Sequence, residues 1–217
     1  MASVPRAIGD FERLGRMAEA LVAEYDDGSL AEWEASPIGW IRQVSSAHKR
    51  GKIGEEIVRA WAGSEGLAVA GPGVRAHECV IGDLRIEVKT SLRWNNDRFV
   101  FLGLRDFDYH GVALLGLAPN DLRLWIVPKE LLWERAQKQL RGAGRIESKW
   151  LSFAASKPPA WLEGWGGSFA QARNALEEIR VYDIARQGEI EQCESWMEMS
   201  SDIDWPWESG EDGIGER

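Results

Sequence analysis

A chain of 217 residues, 44% hydrophobic and 28% charged, is long enough for one substantial core with extensions and has the composition of a soluble globular protein. No apolar run reaches the roughly 18 residues of a membrane span, and Asp10, Glu12, Glu19 and Glu24 stand where a secretory leader would be apolar, so a cytoplasmic protein with no membrane partner is expected. The net charge of −9 is a property of the tail: residues 187–217 hold ten acids and one base, leaving twenty-five of each in 1–186, so charge does not exclude a polyanionic partner for the folded part.

Asp10–Tyr25 places Phe11, Leu14, Met17, Ala18, Leu21 and Val22 on one stripe at helical spacing, which predicts an amphipathic helix ended by Asp26-Asp27-Gly28. Leu30–Trp33 predicts a short turn. Ser36 as cap and Pro37 in first position predict a helix over Pro37–Ser46 that buries Ile38, Trp40, Ile41 and Val44. The basic cluster His48-Lys49-Arg50-Gly51-Lys52 follows, then a helix over Ile53–Ser64 with Ile53, Ile57, Val58 and Trp61 inward. Gly54-Glu55-Glu56 would lie in its first turn, where acids favour the helix dipole.

Leu67–Ala70 reads as a short strand ending at Gly71-Pro72-Gly73, and Cys79–Ile81 with Leu84–Lys89 as a β-hairpin about the Gly-X turn Gly82-Asp83. A turn that tight pairs Ile81 with Leu84, Val80 with Arg85, Cys79 with Ile86, Glu78 with Glu87 and His77 with Val88. Cys79, Ile81, Leu84, Ile86 and Val88 then form a core face, while Glu78, Glu87 and Lys89 share the other. Opposed like charges are destabilising, so that face calls for a cation. A hard divalent ion such as Mg²⁺, held by one or two carboxylates with water and phosphate oxygens, is one answer. A Glu/Lys ladder on an exposed sheet face is the other. Two cysteines, Cys79 and Cys193, and three histidines form neither a disulfide framework nor a zinc site, and Cys79 reads as a small core residue.

Glu78, eight intervening residues and Glu87-Val88-Lys89 resemble the PD-(D/E)XK nuclease motif, with glutamate where aspartate is usual and His77 where proline is usual. The resemblance implies that Glu78 and Glu87 bind Mg²⁺, with Mn²⁺ able to substitute, and that Lys89 helps to activate the hydrolytic water. Asp83 is the competing first ligand, but four strand residues would place it roughly 13 Å from Glu87, so Glu78 ranks above it. RGKIGEEIV resembles the family's helix that carries a metal-facing glutamate, and Glu55 takes that role with Glu56 as its exposed neighbour.

After a polar loop over Ser91–Asp97, Arg98–Leu104 alternates weakly and reads as strand or helix. Val112–Leu117 and Leu122–Val127 form a second hairpin about Ala118-Pro119-Asn120-Asp121, and Pro128 opens a helix over Lys129–Gln139. The stretch from Arg98 to Glu130, with the preceding EVKTSLRW, is similar to a bacterial group of restriction-endonuclease-like proteins, a match that spans roughly residues 36–165. Gly142–Ser148 reads as a basic loop, Trp150–Phe153 as an edge strand, Pro158–Leu162 as a turn and Ser168–Ala185 as a final helix.

The expected fold is α/β: a restriction-endonuclease-like core of helix, central mixed β-sheet and helix, with an N-terminal helical extension. The expected divisions are 1–50 for that extension, 51–140 for the core, 141–186 for a C-terminal extension packed on it, and 187–217 for the acidic tail. The expected activity is Mg²⁺-dependent DNA cleavage, as in restriction or anti-phage defence, with a homodimer for cutting both strands. The alternative is an inactive nucleic-acid- or partner-binding module of the same fold. Lys52, Arg75, Arg93, Trp94, Arg141 and Arg145 are the expected nucleic-acid contacts. The tail, with Trp196, Trp205 and Trp207, is expected to cover the basic surface or dock a protein partner.

Overall fold

The computed structural model describes residues 29–70, 79–138 and 147–181. Five strands form a central mixed sheet in the order β1-β2-β3-β5-β6, built from Val69–Ala70, Cys79–Ile81, Leu84–Leu92, Gly111–Ala118 and Asp121–Pro128. Gly82 adopts a φ of +66° at the first turn position, and Asp83 is not left-handed, which is the backbone of a II′ turn. The hairpin register is the expected one: Cys79 pairs with Ile86, Val80 with Arg85 and Ile81 with Leu84. β3 then runs parallel to β5, from Ile86 opposite Gly111 to Leu92 opposite Leu117, and β5 pairs antiparallel with β6. β5 is buried along its whole length, which is why its sequence is a continuous apolar run rather than an alternation.

One face of this sheet packs on helices. α1 (Ser29–Glu34), α2 (Trp40–Gln43), α3 (Ala47–Ser64) and α5 (169–181) contribute Trp33, Ile41, Val58, Trp61, Ala62, Ala172, Ala175, Leu176 and Ile179 to a core with Ile86, Val88, Leu115 and Ile126. α3 comes unusually close: a Cβ on Gly54 would lie 1.8 Å from Thr90 Oγ1, so only glycine fits there. The opposite face is covered by a three-stranded sheet, β4-β8-β7 (Arg98–Arg105, Ser148–Ala154, Gln137–Lys138), together with α4 (Lys129–Arg135). Phe99, Phe101, Phe153 and Trp125 interlock between the sheets, with the Trp125 and Phe153 rings edge-on at 5.4 Å. The chain is therefore mixed α/β with a central mixed sheet flanked by helices, as expected, and a second sheet completes the layer on one side.

Several boundaries differ from expectation. α2 spans four residues because Gly39 is its cap and Val44 is already extended, and Trp40 is 54% exposed rather than buried. α3 starts at Ala47, where the Ser46 hydroxyl caps the Lys49 N–H, so Glu55 and Glu56 lie in its third turn, beyond the reach of the terminal dipole. α4 stops at Arg135, and Gln137–Lys138 is strand. β8 lies in the middle of its sheet, between β4 and β7, not at the edge. The helix expected over 10–25, most of the loop expected over 142–148 and the acidic tail lie outside the described residues. No helix among the described residues is long and apolar enough to cross a membrane.

Candidate active site

Alternation along β3 separates two chemistries. Ile86, Val88 and Thr90 face α3, whereas Glu87 and Lys89 pair in register with Val112 and Leu114, which belong to the layer under the second sheet. On this second side every odd residue of β3 from 85 to 91 is polar, and each has a partner. The Arg85 guanidinium donates to Asp108 at 2.9 Å, and its backbone N–H donates to His110 Nδ1 at 2.8 Å. Ser91 Oγ accepts from the Val100 N–H at 2.8 Å, which ties β4 to β3. Between them Lys89 Nζ donates to Glu87 Oε1.

Glu87 is only 6% exposed. A carboxylate so far from water is costly unless paired and hydrogen-bonded, and Lys89 meets that need from two residues along the same strand. Swapping such a pair for apolar side chains of similar volume is often neutral or stabilising, so stability alone does not account for placing one beside Val112 and Leu114.

Glu78, Arg75, Arg141 and Arg145 lie outside the described residues. Asp83 sits at the exposed turn, its carboxylate accepting from Arg180 of α5 at 2.9 Å. Desolvation raises its pKa, but hydrogen bonds from its own backbone N–H and from Arg180, with the charges of Arg180 and His110, outweigh that and hold it below the usual carboxylate value. Asp83 is thus committed to a turn-to-helix ion pair. Glu55 is half-buried on α3, the helix packed against the face opposite Glu87 and Lys89. Glu56 pairs with Arg59 at 2.9 Å, and Lys52 is exposed. Arg93 forms an ion pair with Glu32, and Trp94 is 57% exposed.

Among the described residues no three His, Cys, Asp or Glu side chains gather closely enough to hold a metal ion. Glu87 supplies one hard oxygen donor, which suits Mg²⁺, an ion bound through one or two carboxylates with the remaining positions left to water and phosphate. The sequence did not single out Arg42, Asn95 and Asn96, which line a cleft with Arg93 and Trp94. Nothing in their local pattern marks them, because α2 and the loop after β3 meet only in the fold.

No family model and no curated protein matches this chain. A solved structure of a bacterial homing endonuclease is similar, with 16% identity, a TM-score of 0.41, and coverage of 67% of this chain and 98% of that one.

Proposed function

We propose that this chain is a Mg²⁺-dependent DNA endonuclease, with Mn²⁺ able to substitute, that hydrolyses phosphodiesters in restriction or a related defence against foreign DNA. The buried Glu87–Lys89 pair on the polar side of β3 is the observation that supports it most. In this reading Glu78 and Glu87 are the two carboxylates that would hold the ion, whereas Glu55 stands on α3, against the other face of the sheet, and takes no part in holding it. The bound ion would supply Lewis-acid polarisation of the phosphate and a more acidic water. Lys89 Nζ, released from Glu87, would hold the attacking water and take part in its deprotonation. Double-strand cutting with one site per chain calls for two copies.

A binding module of the same fold is favoured by a different observation: Glu87 already has its counter-charge in Lys89, and among the described residues no three His, Cys, Asp or Glu side chains gather as a metal site. Plasmid cleavage separates the two. The endonuclease reading expects nicking in Mg²⁺ or Mn²⁺, none in EDTA, and a fall of about 100-fold or more in Lys89→Ala. Cleavage indifferent to EDTA or to Lys89→Ala contradicts it, and DNA binding without nicking in either ion leaves the binding module.

A further inference from the structure

Arg42, Leu92, Arg93, Trp94, Asn95 and Asn96 line a cleft of about 480 Å³ beyond the C-terminal end of β3. That volume lies within the range of small-ligand sites, roughly 300–1,000 Å³. Tryptophan is usually highly buried, yet Trp94 is more than half exposed. Its backbone is nonetheless anchored. The Trp94 N–H donates to Arg98 O at 2.9 Å and the Asp97 N–H donates to Trp94 O at 3.0 Å, closing a tight turn. Asp97 takes a left-handed φ of +55°, and its carboxylate accepts from the Ser156 N–H at 3.1 Å and from the Ser156 hydroxyl. The Arg93 N–H donates to Leu117 O at 2.7 Å, while its guanidinium is fixed by Glu32 of α1. Arg42 lies 5.9 Å over the Trp33 ring on the other wall.

We propose that this cleft binds one nucleotide of an unpaired nucleic-acid strand. The base stacks on Trp94, its edge meets the amides of Asn95 and Asn96, and its phosphate is drawn by Arg42 and Arg93. A π-face is available only on a base that is single-stranded or extruded from a duplex, because stacked neighbours cover it otherwise. Stacking on an aromatic platform binds any base, whereas an asparagine amide offers a donor and an acceptor and can pair bidentately with adenine. Leu92, one wall of the cleft, ends the strand that carries Lys89, so this wall lies about 10 Å along β3 from Lys89 and about 16 Å from Glu87. The inference rests on the endonuclease reading for its substrate and adds that the strand is unpaired where it meets this turn.

The test is fluorescence anisotropy of the full chain in EDTA with a labelled short oligodeoxyadenylate and an abasic strand of equal length. The parent should bind the adenylate about tenfold or more tighter than the abasic strand; Trp94→Ala should erase that preference and Trp94→Phe restore most of it. Because Trp94 is exposed, Trp94→Ala should melt with the parent, which excludes misfolding as the cause. Displacement of the label by adenosine monophosphate identifies a free nucleotide as sufficient ligand, and displacement by oligonucleotide alone identifies the strand; either result supports the cleft. Equal affinity for the two strands in the parent, or an unchanged preference in Trp94→Ala, overturns it. With no metal present, failure of cleavage leaves this result intact, and failure here leaves the cleavage reading intact.

Discussion

The two sides of β3 form a controlled comparison within one strand. Towards α3 and α5 it presents Ile86 and Val88, packed against Val58, Trp61 and Ile179 in an apolar layer with Gly54 pressed on Thr90. Towards the second sheet it presents Arg85, Glu87, Lys89 and Ser91, although the neighbouring β5 contributes Val112 and Leu114 on the same side. Backbone and register are shared, but Ile86 and Val88 are buried whereas Arg85 and Lys89 reach partly to solvent. The first holds the fold together through area removed from water. The second keeps charged groups beside hydrocarbon, with Lys89 paired to Glu87 and Arg85 to Asp108.

The largest break in this comparison comes from moving a charge to the apolar side. Val88→Asp places an unpaired carboxylate against α3 and should cost about 4–5 kcal/mol, measured by urea denaturation. Gly54→Ala should follow at about 2 kcal/mol, because the added methyl meets Thr90, and Thr90→Ala in the same chain should return part of the loss. On the polar side the expectation reverses. Glu87→Leu with Lys89→Met should leave stability within about 1 kcal/mol of the parent while cleavage disappears, whereas Lys89→Met alone is destabilising because it strands the carboxylate.

The smallest effect is at the rim. Hydrogen bonds from the Ser156 hydroxyl and N–H hold the Asp97 carboxyl below its usual pKa, helped by Arg93 and opposed by slight desolvation. Its folded pKa lies below the unfolded one, so this stabilisation is complete above about pH 5 and is lost as pH falls through the folded value. Asp97→Asn, which tolerates the left-handed backbone, should therefore be less stable than the parent at pH 7, and the difference should shrink as pH falls below about 4 in paired melts.

The apolar side was largely legible in the sequence. The Gly82-Asp83 turn set the hairpin register, and alternation then named Cys79, Ile81, Leu84, Ile86 and Val88, all of them buried. The second sheet was not. Gly103, at a φ of +68°, sits where the pairing of β4 with β8 shifts between Phe101 and Leu104, and that break hides the strand's period. β8 read as an edge because its outer neighbour, β7, is two residues long and continued a helical pattern. α3 was read six residues short because His48-Lys49-Arg50-Gly51-Lys52 looks like loop by composition, and the Ser46 cap outweighs it. Glu87 and Lys89 were named from the hairpin register and the resemblance it carried, but the burial of Glu87 and the cleft beyond Leu92 follow from which sheet covers them, a long-range fact no local pattern carries.

Calorimetric titration of Mn²⁺ into the full chain, beside Glu78→Gln and Glu87→Gln, tests most directly whether the polar side of β3 is a metal seat. One ion should bind per chain in the parent, and each substitution should abolish the heat. Absence of binding to the parent, or binding that survives both substitutions, would contradict the account.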